Sequence, residues 1–201
     1  MKPITKPLES ASLVLYGGSF DPVHFAHLQM ARSVIEQMGS SKVIFIPAAR
    51  SPLKPNSSIA SDANRIKMLH LATADEPGFE VDDCEIQRGG ISYTVDTVSM
   101  FRARYPNAKI HWIIGADQIK QLHRWHRIRE ITADLTFIIL RRPGHLIDDP
   151  LIPGLQFVEL ITPMMPHSSS AIRKALVDGH GCAELVPPAV EAFISEQRLY
   201  I

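Results

Sequence analysis

Cysteine is almost missing from this chain. Cys84 and Cys182 are its only two, far apart in 201 residues and in no metal-ligand spacing. Two thiols build no disulfide framework, so a reducing cytoplasm is the expected compartment. Long apolar runs are missing as well. No stretch approaches the roughly 18 consecutive apolar residues of a membrane span, and Met1 to Ser12 lacks the apolar core of a signal peptide. That first dozen residues reads as a flexible leader. Excess charge is the third absence: 21 basic residues stand against 21 acidic ones. A chain with no net charge has no electrostatic footprint for nucleic acid. The fifteen prolines are scattered, and no internal repeat or low-complexity tract occurs.

What remains is an ordinary globular inventory, 45% hydrophobic and 21% charged. A chain of this size buries roughly 70% of its unfolded surface, enough for one core without staples. Short apolar runs alternate with amphipathic stretches, the pattern of repeated βα units. Strands are expected at Leu13–Tyr16, Val43–Ile46, Phe79–Ile86, Ile110–Ile114, Leu135–Leu140 and Phe157–Ile161. Helices are expected at Val23–Met38 (stopped by Gly39), Asp62–Ala74, Thr94–Arg104, Ala116–Leu122, Trp125–Thr132, Ser168–Leu176 and Pro188–Glu196. Arg142 to Gly154, rich in proline and glycine, reads as a surface loop. The expected architecture is a single α/β domain over residues 1–201, Rossmann-like, with a mostly parallel sheet flanked by helices and residues 168–201 as its helical end. Ligands of such sheets bind beyond the carboxyl ends of the strands.

The chemistry gathers after the first strand, in Gly17-Gly18-Ser19-Phe20-Asp21-Pro22-Val23-His24-Phe25-Ala26-His27. Paired glycines let the backbone turn tightly and approach a ligand. The helix that follows offers unpaired N–H groups to a phosphate. His24 and His27, three apart on its first turn, can reach one phosphate chain. Taken singly, two such histidines also suit an ordinary surface. Arg173 follows a serine cluster, Ser168 to Ser170, that can cap a helix, and its guanidinium can grip an anionic oxygen or stay solvated. Trp125 suits a core position as well as a ring-stacking one. Asp117, at a strand's carboxyl end, is placed for a nucleotide and Asp96 for its helix, with a helix N-cap role open to both, and Lys54 alone reads as a surface lysine. His70, His111, His123, His145 and His180 lie outside any motif.

Gly17 to His27 resembles the GGSFDPxHxGH signature of nucleotidyltransferases with an HxGH-type motif. Further matches, in family order, narrow the resemblance to the bacterial nicotinate-nucleotide adenylyltransferases. Ser92-Tyr93-Thr94-Val95-Asp96-Thr97 is similar to their SYTxDT block, and Ile113-Ile114-Gly115-Ala116-Asp117 to their IIGAD strand end. Arg141-Arg142-Pro143-Gly144 is similar to RRPG, and Ser168 to Arg173 to the end of ISSTxIR. The resemblance implies an attack by the phosphate of nicotinate mononucleotide on the α-phosphate of ATP, giving deamido-NAD and pyrophosphate. It implies that His24, His27 and Arg173 act on the phosphates. Gly17, Gly18, Ser19, Phe20, Lys54, Gly115, Asp117 and Ser168 to Ser170 would line the ATP site. Ser92, Tyr93, Thr94, Trp125 and His126 would hold the pyridine nucleotide, with the ring stacked on Trp125 and its carboxylate on the backbone N–H groups of Thr94 and His126. Mg²⁺ would arrive with ATP, since no carboxylate cluster offers a protein cage.

Five positions depart from the family pattern. Ala26 replaces the glycine of HxGH, Ser51 and Leu53 replace a proline and the histidine of PPHK, Ile91 replaces a proline, and His167 an isoleucine. Arg50 is a cation near the missing histidine. Alternatives stay open here: a preference for nicotinamide mononucleotide, whose discriminating donors are backbone groups, or a nucleotide sensor without turnover. The pantetheine-phosphate enzymes lack the SYTxDT block. No membrane or nucleic-acid partner is expected, and a homo-oligomer stays open.

Overall fold

A computed structural model describes residues 12–40, 42–53, 58–141, 152–163, 165 and 167–201. Residues 1–11 of the expected leader, most of the 142–154 loop and Lys54 therefore lie outside the described residues, and Ser12, the last residue of that leader, opens the first strand. Six strands form one sheet: β1 (Ser12–Gly18), β2 (Val43–Pro47), β3 (Phe79–Val81), β4 (Lys109–Gly115), β5 (Leu135–Arg141) and β6 (Gln156–Ile161). Their spatial order is β3-β2-β1-β4-β5-β6, and every pairing is parallel, one step beyond the mostly parallel sheet expected.

Parallel strands are covered on both faces, which is why β1, β2 and β5 read as unbroken apolar runs. Val14, Tyr16, Phe45, Ile113 and Ile138 face one side of the sheet. Leu15, Ile44, Ile46, Trp112, Phe137 and Ile139 face the other. The first side is covered by α1 (Phe25–Met38), α2 (Asp62–Thr73), α6 (Ser169–Val177) and α7 (Pro188–Glu196). The second is covered by α4 (Thr94–Arg104) and α5 (Ile128–Asp134). Leu28, Ala31, Val34 and Met38 form the buried stripe of α1, and Gly39 closes it in the left-handed region at φ 63°. In α4 the stripe is Val95, Val98 and Phe101.

Some expected boundaries move, each for a local reason. The strand expected over Phe79–Ile86 stops at Val81, and α3 (Cys84–Arg88) follows. The Asp82 carboxylate accepts the Cys84 N–H at 3.0 Å and turns the chain there. The helix expected from Val23 begins at Phe25, because His24 keeps an extended backbone as its N-cap. The stretch from Ala116 to Arg124 is a 3₁₀ segment, and Trp125 closes it rather than opening α5. Arg127, at φ 53°, separates the two. Ser168 is the N-cap of α6, not its first residue, and accepts the Ala171 N–H at 3.2 Å.

The strand order reverses direction between β1 and β4. Chains leaving those two strands cross to opposite faces, which opens a crevice above their carboxyl ends. The glycine loop after β1 and the 3₁₀ segment after β4 both empty into it.

Candidate functional site

Gly17 and Gly18 end β1 against the tip of β4. A Cβ on Gly17 would run into the Trp112 indole, and one on Gly18 would stand 2.9 Å from Phe20 Cζ. Glycine at both positions therefore answers side-chain crowding as much as room for a ligand. Phe20 sits at φ 46° and drives its ring into the core, where it packs 5.6 Å from Phe45 and 5.0 Å from His27. Its contribution to the site is the turn it makes.

The turn delivers His24 to the start of α1. His24 is buried, and its Nδ1, which faces the His27 N–H in a capping-box arrangement, makes no full hydrogen bond among the described residues. A buried polar atom left so is costly unless a ligand or water completes it. His27 lies face to face with it, ring centroids 3.7 Å apart and planes within 21°. The His27 Nδ1 accepts the His24 backbone N–H at 3.3 Å, so in the neutral ring the proton rests on Nε2. Burial lowers the His24 pKa to about 4, with the charge of His167 pushing the same way. The ligand-free pair is thus neutral at His24, and an arriving phosphate favours its protonation.

That burial predicts a pH dependence of stability. The unfolded His24 binds a proton near pH 6.5, the folded one only near pH 4, so acidification across that window favours the unfolded chain. Between pH 7 and 4.5 the wild type should lose about 2 kcal/mol more than His24→Asn. Urea unfolding of both proteins at the two pH values checks this, and equal losses would refute it.

Asp21, buried between Phe20 and Pro22, joins the segments around this pair. Its carboxylate accepts the backbone N–H groups of Ile59 at 2.8 Å and Ala60 at 3.2 Å, and the Tyr200 hydroxyl at 2.7 Å. From α6, Arg173 donates Nη1 to the Asp21 carbonyl at 2.6 Å and lies 3.8 Å from its carboxylate. Ser169 donates to the Pro22 carbonyl at 3.0 Å. These two bonds bring the N-termini of α1 and α6 together, and with them the positive ends of both dipoles. In α1 the expected free N–H groups are partly used, Phe25 donating to the Leu185 carbonyl at 3.0 Å and His27 to the His24 carbonyl at 2.9 Å. Arg65, wholly buried in α2, donates to the Ser19 carbonyl at 2.8 Å and pairs with Asp62 at 2.5 Å.

The second half of the crevice lies over β4. Tyr93 caps α4 and Thr94 is its first residue, so the Thr94 N–H has no acceptor within the helix. The Tyr93 and His126 rings are 4.4 Å apart, which brings Thr94 and His126 to one place. Trp125 is half-buried, its indole edge-on to Phe137 at 6.0 Å, with part of the ring left exposed. Ser92 is used otherwise. Its hydroxyl accepts the Ala49 N–H at 2.9 Å and ties the loop after β2 to α4. Asp117 is exposed in the 3₁₀ segment, with Oδ1 standing 2.5 Å from where a Cβ on Gly115 would be. Gly115, not Asp117, is the N-cap there.

Of the residues expected at the site, His24, His27, Arg173 and Ser168 to Ser170 gather at one end of the crevice, and Tyr93, Thr94, Trp125 and His126 at the other. Asp21, Arg65 and Tyr200 carried no expected role. Arg65 left a signal, an arginine in register with Leu69 and Ala72 on a buried stripe. Tyr200 left none. Among the described residues no group of three or more His, Cys, Asp or Glu side chains could hold a metal ion, and no helix is long and apolar enough to cross a membrane.

Known proteins resemble this chain in sequence and in fold. The cytidylyltransferase-like family model matches residues 15–175. A protein of Opitutus terrae named "probable nicotinate-nucleotide adenylyltransferase" is 40% identical over 92% of this chain and 95% of its own length. One of Geobacillus thermodenitrificans with the same name is 37% identical, over 92% of this chain and 84% of its own. Among solved structures, the nicotinic acid mononucleotide adenylyltransferase of Plasmodium falciparum complexed with NaAD superimposes with a TM-score of 0.80. It is 19% identical and covers 94% of this chain and 97% of its own, a likeness of fold.

Proposed function

The chain belongs to the cytidylyltransferase-like family and, within it, to the nicotinate-nucleotide adenylyltransferases, and from that premise we propose how its residues carry out the reaction. It is an enzyme that transfers AMP from ATP to nicotinate mononucleotide, with deamido-NAD and pyrophosphate as products. A phosphate oxygen of the mononucleotide attacks the α-phosphorus of ATP in line. The new O–P bond forms as the bond to the β-phosphate breaks, and pyrophosphate leaves with that electron pair. The attacking phosphate is already anionic, so alignment and charge neutralisation suffice, and no protein nucleophile is needed.

His24 and His27, at the start of α1, donate to the phosphoryl oxygens on which charge grows. Arg173 and the N-terminus of α6 hold the departing β- and γ-phosphates. The observation that carries this reading is the buried Nδ1 of His24, without a full hydrogen bond among the described residues, beside His27 at the point where two helix N-termini meet. Ala26 occupies the glycine position of the signature within the first turn of α1 and needs no positive φ. The donors gathered here, imidazole, guanidinium and backbone N–H, suit phosphate oxygens rather than a divalent cation. Mg²⁺ would therefore be held mainly by the ATP phosphates and would supply further neutralisation there. Two buried free thiols support a cytoplasmic setting.

The pyridine ring lies on the exposed part of Trp125, with its carboxylate facing the N–H groups of Thr94 and His126. A neutral carboxamide gains less from that pair of donors, which favours nicotinate over nicotinamide. Trp125→Ala is expected to raise KM for nicotinate mononucleotide by about 10- to 100-fold, the worth of one stacked ring. KM for ATP should stay within about twofold. Steady-state kinetics with each substrate varied in turn checks this. An unchanged KM for the mononucleotide would return Trp125 to a packing role.

A further inference from the structure

The buried carboxylate of Asp21 presents an electrostatic puzzle. Arg173 lies 3.8 Å from it and Arg65 holds the adjoining Ser19 carbonyl, yet neither guanidinium forms a close pair with the carboxylate. Three neutral donors fill its oxygens instead: the N–H groups of Ile59 and Ala60, and the hydroxyl of Tyr200 at 2.7 Å. Tyr200 is itself buried and sits at φ 68° beyond α7, so the chain bends to bring its phenol there. Burial and the neighbouring carboxylate raise its pKa, so the phenol remains a donor across the working pH range.

We propose that Tyr200 is a positioning residue for Arg173. Its hydroxyl helps to satisfy the Asp21 carboxylate and so leaves Arg173 anchored by the Asp21 carbonyl and, at 3.4 Å, by the Ser170 hydroxyl, with its remaining N–H groups available to the phosphates of ATP. The Arg173 side chain is drawn towards a carboxylate it does not capture. Tyr200 and Ala60 donate to Oδ1, while Arg173 stands 3.8 Å from Oδ2, which holds the Ile59 N–H. Without the Tyr200 hydroxyl the carboxylate keeps only its two backbone donors, its charge draws the guanidinium onto Oδ2, and a close, buried ion pair competes with the substrate for it. The same hydroxyl ties the segment after α7 to the loop that presents His24, so it acts at the site without touching substrate. This rests on the assignment of Arg173 to the ATP phosphates.

Tyr200→Phe removes only the hydroxyl. The test is pyrophosphate release by the wild type, Tyr200→Phe, Arg173→Lys and the double variant, with ATP and nicotinate mononucleotide varied separately and melting temperatures measured alongside. Tyr200→Phe is expected to raise KM for ATP about tenfold, leave KM for the mononucleotide within about twofold, and add less than about threefold once Arg173 is lysine. A full tenfold effect in the lysine background, an equal rise in both KM values, or a change in melting temperature alone would overturn the proposal. If Arg173→Lys leaves KM for ATP untouched, it is the phosphate assignment of Arg173 that falls, and the positioning role with it.

Discussion

His27→Ala is expected to lower kcat by about 10²- to 10³-fold, the usual loss when one preorganised donor to transition-state charge is removed. His27 is held from three sides: its Nδ1 takes the His24 N–H, its ring stacks on His24, and its edge packs against Phe20. A donor fixed this way needs little reorganisation when charge develops, and that is where its catalytic value lies. The loss should appear in kcat, with KM for nicotinate mononucleotide nearly unchanged, because the imidazole matters more to the transition state than to the bound substrate. Truncation also leaves a gap under Phe20, so the melting temperature should fall, by less than about 5 °C. Single-turnover kinetics at saturating substrates measures the chemical step directly. A variant with wild-type turnover would show that the stacked pair is structural.

Arg173→Ala comes second in expected size. The guanidinium is half-buried and already committed to the Asp21 carbonyl at 2.6 Å, and it leans on Ser170 at 3.4 Å. Its loss removes a charge-assisted contact to the leaving pyrophosphate and opens the contact between α6 and the glycine loop. We expect kcat/KM for ATP to fall by about 10²- to 10³-fold, with most of the effect in ATP affinity. Lysine should recover only part of it, since a point charge cannot hold a carbonyl and a phosphate in one fork. Isothermal titration with a non-hydrolysable ATP analogue checks the binding component. Unaltered affinity would move Arg173 out of the phosphate site.

How much of this was legible in the sequence depended on whether the cause was local. The βα alternation gave the layers because buried parallel strands are apolar on both faces, as Leu13 to Tyr16 and Leu135 to Leu140 are. The boundary errors arose where one side chain redirects the backbone: Asp82 ends β3, and His24 delays α1. The glycine loop, the histidine pair and the serine-capped arginine could be read because each lies within a few residues. Asp21 was in view inside the signature, but its role depends on Ile59, Ala60, Arg173 and Tyr200, up to 179 positions away. Ser92 illustrates the converse. It sits within a family block, yet its hydroxyl serves the Ala49 N–H and joins two loops.

In the proposed function, the crevice between β1 and β4 joins ATP to a pyridine nucleotide that carries a carboxylate. Pyrophosphate release measured with ATP and Mg²⁺, in parallel with nicotinate and nicotinamide mononucleotides, tests it most directly. The geometry at Thr94, Trp125 and His126 predicts turnover with both at most, and a kcat/KM at least about tenfold higher for nicotinate, one charge-assisted contact to the carboxylate. Equal efficiency with the two would contradict the carboxylate site, and no pyrophosphate from either would contradict the account as a whole.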